Sequence, residues 1–195
     1  MRYPKTEEGL TTLILYKTQT LEQRASKVDG PIVTMETFWN GEKLWVQNLY
    51  RGLFAISASN NDNSFSMDFE YDMIDDLFPL AVGKVITFPA KTIVVSEDAA
   101  INTLVTITVT QETKIIINGE TIDIFIIETV SEHNRDNLSS SHYAVQYYAP
   151  ALGIVVKQID DTGNGAPIYW DVVEINKQPR AARKKDLNRS GTLII

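Results

Sequence analysis

The stretch that decides the fold is "TKIIINGETIDIFIIETV", residues 113–130, in which an Asn-Gly pair separates two runs rich in β-branched residues. Asn-Gly is the pair that most strongly favours a two-residue type I′ turn between antiparallel strands. A turn at Asn118-Gly119 sets Lys114 opposite Asp123. Because opposite charges across two strands attract, this pairing supports the register independently. We therefore predict a β-hairpin here.

A second Asn-Gly pair, Asn40-Gly41, lies within the alternating segment 32–57. The same type of turn there predicts three cross-strand pairs: Trp39 with Glu42, Thr37 with Leu44, and Met35 with Val46. In this register Trp45 falls on the face that also carries Glu36, which is an unusual place for a tryptophan. The hairpin thus predicts either that both faces are covered or that Trp45 meets a partner.

Alternation of apolar and polar residues continues through most of the chain, and helical periodicity is scarce. Pro89 indicates an edge or a break in its strand. Residues 74–84 are predicted to be a loop with one helical turn, and 131–141 a polar loop. The predicted strand segments are 10–21, 32–57, 64–73, 85–95, 102–110, 113–130, 142–149, 153–160 and 166–175. We predict an all-β domain of nine or ten strands with little helix, a curved antiparallel meander that forms a half-barrel or barrel.

Charge divides the chain into two parts. Residues 177–195 hold six Lys or Arg and one Asp, which leaves 12 basic and 24 acidic residues in 1–176. An acidic body repels phosphate backbones, so we expect no nucleic-acid partner. We predict one β domain over 1–176 and a basic, flexible tail over 177–195, which could touch an anionic membrane surface.

Several chemistries lack the residues they need. The sequence has no cysteine, which excludes disulfides and thiolate sites, and it carries no glycine-rich phosphate loop, so we predict no cofactor. No apolar run is long enough for a membrane helix, and no signal-peptide core is visible near the first residue.

Two groups of polar residues have side chains of the kind found in catalytic or metal sites. Asp68, Glu70 and Asp72 share one strand face, but their spacing is not that of a calcium loop, so a solvated face is the simpler interpretation. His133 and His142 flank a serine-rich segment without a nucleophile elbow or a third metal ligand. We predict no catalytic residue, no metal site and no enzymatic activity.

The segment "YYAPALGIVVK", residues 147–157, resembles the Tyr-Ala-Pro-x-x-Gly-x-Val-Lys signature of a poorly characterised family of bacterial envelope β domains. "PLAVGK" at 79–84 and "VTITVTQETKIIINGETIDIFIIE" at 105–128 extend the similarity, although the family often has Pro-Ala-Gly at the turn. The resemblance implies a periplasmic, secreted or lipid-anchored protein. More distantly, the resemblance suggests a relation to the open-barrel lipoprotein carriers, which hold acyl chains.

From these observations we predict a non-enzymatic envelope protein that binds a hydrophobic small molecule, a lipid or a lipidated partner in the concave face of its sheet. The alternative is a structural or protein-interaction module with a self-filled core, whose partner would be another envelope protein. Apolar residues on both faces of 115–117 and 124–127 favour the ligand hypothesis. The predicted ligand-binding residues are Trp39, Trp45, Tyr147 and Tyr148. The motif also has a purely structural interpretation, since Pro150 and Gly153 suit a tight turn.

Overall fold

Twelve antiparallel strands close into one barrel in the computed structural model, which describes residues 4–60, 63–94, 99–135, 138–161, 163 and 166–176. Each strand pairs with its neighbours in the chain, and the first pairs with the last. The strands are β1 (Thr11–Tyr16), β2 (Gln19–Asp29), β3 (Ile32–Trp39), β4 (Glu42–Tyr50), β5 (Phe54–Ser59), β6 (Ser64–Asp68), β7 (Val85–Val94), β8 (Ala99–Ile117), β9 (Glu120–Arg135), β10 (Leu138–Ala149), β11 (Ile154–Asp161) and β12 (Ile168–Asn176). The helical turn α1 spans Asp72–Asp75. The predicted all-β antiparallel barrel is confirmed, and the predicted tail 177–195 lies outside the described residues.

The strand count exceeds the prediction because two segments contain turns without an Asn-Gly signal. The predicted first strand turns at Lys17, whose φ is 54°, and segment 32–57 turns again at Arg51 and Gly52, whose φ values are 51° and 64°. The polar loop predicted over 131–141 is wrong. Strands β9 and β10 run through its described part, with Ser131 buried and Glu132 exposed, so its polar side chains alternate between the two faces of the wall.

Both Asn-Gly turns form, but only one register is as predicted. At Asn118-Gly119 both φ values are positive, and Lys114 Nζ lies 3.4 Å from an Asp123 carboxylate oxygen. At Asn40-Gly41 the turn and the Trp39–Glu42 pair are confirmed. The two inner pairs are wrong, because a β-bulge between Thr37 and Phe38 pairs Thr37 with Trp45 and Met35 with Gln47. One extra residue reverses the face of every later side chain, so Trp45 lies on the inner face.

One end of the barrel, which we call the base, is closed by three pieces of backbone in close contact. The turn after β4 and the turn after β10 meet at Gly52 and Gly153, where a Cβ on Gly52 would lie 1.7 Å from the Gly153 carbonyl oxygen. Thr6, from the segment before β1, donates a buried 2.6 Å hydrogen bond to that same oxygen. The Tyr148 hydroxyl donates to the Arg51 carbonyl at 2.7 Å. The "YAPALG" segment is therefore a structural corner at the base.

Segment 69–80 completes the wall where β6 is short. Strand β6 pairs only with residues 91–94 of β7, so the first half of β7 lacks a partner on that side. Ile74, Leu77 and Phe78 pack there among buried residues of β5, β7 and β8. Strand β7 is not broken at Pro89, but Pro89 lies in this half, which explains how a residue without an N–H is accommodated.

A small polar cluster fixes segment 69–80 to the base. The Arg51 guanidinium makes a bidentate contact with Asp75, with 2.9 Å between Nη2 and Oδ2, and the Tyr50 hydroxyl donates to Asp75 at 2.9 Å. The hydrogen bond from Arg51 lowers the pKa of Asp75. Burial and the neighbouring Asp75 raise the pKa of Tyr50 to about 12. Asp75 is therefore ionised, and Tyr50 neutral, at physiological pH.

The close approach at the base predicts unequal costs for two glycine substitutions. Gly119→Ala adds a methyl group in open space, so only the left-handed φ opposes it, at about 1 kcal/mol. Gly153→Ala places a methyl 2.6 Å from the Thr6 nitrogen and should cost about 3 kcal/mol or more. Urea denaturation of both variants measures the difference. Equal losses would show that the base is not tightly packed.

The Arg51–Asp75 pair predicts a specific pH dependence. Because the folded pKa of Asp75 lies below its unfolded value of about 3.9, the pair stabilises the fold above that pH and loses its effect as the pH falls through the folded value. Asp75→Asn should lower the free energy of unfolding by about 1–2 kcal/mol at neutral pH and reduce its loss on acidification. Asp123→Asn, which removes an exposed pair, is the control. An unchanged acid transition in Asp75→Asn would contradict the assignment.

Candidate functional site

The barrel encloses a cavity of about 870 Å³, to which all twelve strands contribute side chains. It begins above the base and reaches the surface at the opposite end, the mouth, where the exposed residues Ser59, Asn60 and Ser140 line it. Small-molecule sites in proteins commonly have volumes of about 300–1,000 Å³. The barrel interior is therefore large enough to hold a ligand.

Much of the cavity wall is apolar or aromatic. One row of paired residues crosses β10, β11, β12 and β1: Gln146 pairs with Gln158, Gln158 with Trp170, and Trp170 with Tyr16. Paired residues lie on the same face of the sheet, and all four line the cavity. Further apolar lining comes from Ile14, Met35, Leu49, Leu53, Ile154 and Val155, and towards the mouth from Phe65, Val94, Ile101 and Ile168. The bulge in the β3–β4 hairpin brings Trp45 into the same lining. Two tryptophans, Trp45 and Trp170, thus face the cavity.

A line of polar side chains crosses the wall formed by β10 and β11, from the base towards the mouth. Gln146 donates to the Leu53 carbonyl at 3.1 Å and lies 3.4 Å from the Gln158 side-chain oxygen. Gln158 donates to Asp160 Oδ2 at 2.7 Å. The other oxygen of Asp160 is buried and lies 3.2 Å from Nε2 of His142. The two glutamines and Asp160 Oδ2 therefore satisfy one another, whereas Asp160 Oδ1 is buried without a hydrogen bond from any described residue.

A second polar chain lies beside the first at the mouth. The Thr92 and Thr103 hydroxyls lie 2.9 Å apart, and the Thr103 hydroxyl is 3.0 Å from Nδ1 of His133. Burial lowers the pKa of His133, and the neighbouring His142 lowers it further. Since the ordinary histidine pKa is about 6.5, His133 is neutral at physiological pH. The two histidines belong to strands and share the inner face.

The four residues predicted to bind a ligand do not form one site. Trp45 lines the cavity, whereas Trp39 is 41% exposed at the tip of its hairpin and lies outside the cavity lining. Tyr148 is buried in the base, where its hydroxyl is bonded to Arg51. Tyr147 is half-buried, with Lys157 Nζ 5.4 Å from its ring centroid. Trp45 is thus the member of the predicted set that a ligand in the barrel could reach directly.

Sequence reasoning missed the polar inner wall. In "HYAVQYY", alternate residues of the strand share one face: His142, Ala144, Gln146 and Tyr148. Because Tyr148 is buried, Gln146 also faces inward, and this two-residue spacing was the signal from which a polar inner wall could have been predicted. The apolar runs 115–117 and 124–127 do not line the cavity. They belong to the β8–β9 hairpin tip, where Ile117 and Ile124 pack with residues of β11 and β12, while Ile116 is 74% exposed.

The acidic residues are arranged as a solvated surface. Asp68, Glu70 and Asp72 are exposed, and only Asp68 belongs to a strand. Within the described ranges, no three His, Cys, Asp or Glu side chains are placed to hold a metal ion. Nor does any helix in that part of the chain have the length and apolar character needed to cross a lipid bilayer.

Comparison with known proteins identifies similar folds but no family. No family model matches the sequence, and no curated protein matches it. The hypothetical lipoprotein YmcC from Escherichia coli K12 superposes with a TM-score of 0.58 at 10% identity, over 88% of this chain and 92% of that one. A Bacteroides fragilis protein, described as exported and as having a YmcC-like fold, gives a TM-score of 0.50 at 14% identity, over 90% and 99% of the two chains. At these identities the likeness is one of fold: the chain has a barrel similar to that of YmcC.

Proposed function

We propose that this chain is a non-enzymatic bacterial cell-envelope protein that binds one hydrophobic or amphiphilic small molecule inside its barrel. The observation that carries the proposal is the cavity of about 870 Å³, whose lining combines apolar and aromatic side chains with hydrogen-bonding groups. An apolar chain buried there would gain about 0.8 kcal/mol per methylene removed from water. The hydrogen-bonding groups of the wall and mouth would bind a polar head group.

The envelope location is supported by two likenesses. The "YYAPALGIVVK" segment resembles the signature of bacterial envelope β domains. The barrel also superposes on a hypothetical lipoprotein and on a protein described as exported. A lipid or lipid-like ligand would be abundant in that compartment, which agrees with the chemistry of the cavity.

A binding role explains the inner polar groups better than catalysis does. Thr103 and His133 are within hydrogen-bonding distance, but among the described residues no carboxylate hydrogen-bonds to His133 to orient it as a base. Asp160 lies instead beside His142. Hydroxyls and amides that bond to one another and face a roomy cavity are suited to holding a molecule.

Native mass spectrometry and a dye titration test the proposal. We expect the purified protein to carry a species of lipid mass that organic solvent removes, and to bind the uncharged dye Nile red at one site per chain. Ala55→Phe projects a ring into the cavity and should weaken dye binding at least about tenfold, or 1.4 kcal/mol. Ala81→Phe makes the same change at an exposed position outside the cavity lining and serves as the control.

The contrary result would be a clean protein mass together with no dye binding. The interaction-module alternative would then be favoured, with another envelope protein as partner, and a dimer or a co-purifying protein would identify that partner.

A further inference from the structure

We propose that the cavity selects its ligand by the charge of the head group, accepting an uncharged amphiphile and discriminating against a fatty acid with the same chain. This inference rests on the proposed function and specifies its ligand class. It follows from the side chains that line the mouth and walls.

The described cavity lining contains no lysine and no arginine. Its polar members are, with two exceptions, uncharged amides and hydroxyls that can both donate and accept hydrogen bonds, among them Gln47, Asn63, Thr92 and Gln158. The exceptions are His133 and Asp160. An ester, hydroxyl or amide head group would find partners on every side.

Asp160 makes the mouth unfavourable for an anion. Its Oδ2 accepts from Gln158, and its Oδ1 is buried 3.2 Å from His142. A carboxylate entering this mouth would exchange its hydration for a site that already holds a negative charge and, within the described lining, offers no lysine or arginine. Removing an ion from water without a counter-charge is costly, and like charges repel. Burial also keeps His133 neutral at physiological pH, so that it does not supply the missing cation.

Asp160 is not placed to recognise a cationic head group either. Its Oδ2 accepts a hydrogen bond from Gln158 Nε2 at 2.7 Å, and its Oδ1 is buried 3.2 Å from His142 Nε2 without a hydrogen bond within the described part of the chain. To contact Asp160, a ligand cation would have to displace Gln158 or expose the buried Oδ1. The neutral hydrogen-bonding groups therefore determine the ligand class, and Asp160 acts by repelling anions.

Three probes with the same hydrocarbon chain test the inference: monolaurin, laurate and dodecyltrimethylammonium. Each is titrated at neutral pH below its micelle concentration, with the fluorescence of Trp45 and Trp170 as the readout. We expect monolaurin to bind at least about tenfold more tightly than laurate. Laurate binding as tightly as monolaurin would overturn the inference, and tightest binding of dodecyltrimethylammonium would overturn it in favour of cation recognition.

Two cavity variants and one surface control locate the discrimination. Asp160→Asn can still accept the Gln158 hydrogen bond and should raise the affinity for laurate severalfold relative to that for monolaurin. Asp123→Asn removes the same charge at the exposed tip of the β8–β9 hairpin and should change neither affinity. Gln47→Lys adds a cation to the cavity wall on β4 and should make laurate the tighter ligand, which keeps the test decisive if Asp160→Asn folds poorly.

Failure of this inference differs from failure of the proposed function. If Nile red binds but the probes show no preference by charge, only the head-group selectivity is wrong. If neither the dye nor any probe binds, the proposed ligand-binding function itself is wrong.

Discussion

The closed base depends on contact between two backbone turns that carry no side chains where they meet. Gly52 and Gly153 both have positive φ. A Cβ on Gly52 would clash with the backbone of Gly153, and a Cβ on Gly153 would clash with the backbone of Thr6. Thr6 and Tyr148 add hydrogen bonds between the same turns and the segment before β1. This contact joins parts of the chain about a hundred residues or more apart. With the base sealed by backbone, a cavity can open above it.

The interior is filled near the base and open towards the mouth because the two ends are built differently. Near the base, long side chains such as Tyr148 and Phe78 fill the space, and segment 69–80 covers the gap beside β7. Towards the mouth, small inward-facing residues such as Ser140 and Thr92 are interspersed with larger apolar ones such as Phe65 and Ile168. Where the inward-facing side chains are small, volume is left unfilled. The cavity therefore has both hydrogen-bonding and apolar wall.

The fold was predictable because alternation and Asn-Gly turns are local signals. The hairpin at Asn118-Gly119 shows this, since turn, register and ion pair all follow from adjacent residues. The site was harder to predict because it depends on a bulge and on closure. A one-residue bulge near Phe38 decides whether Trp45 faces inward. The residue types around this bulge do not predict it. The approach of Gln146 to Leu53 joins residues 93 positions apart and exists only in the closed barrel.

Pairing of β1 with β12 has a consequence for how the protein is made. Every other strand pair joins neighbours in the chain and can form as the chain is synthesised, whereas this pair joins its two ends. Until β12 is available, the growing sheet has an exposed edge at β1 and another at its latest strand. Open edges readily pair with other chains, and contacts distant in sequence form slowly. The period before closure is therefore when a chain of this topology is most exposed to aggregation.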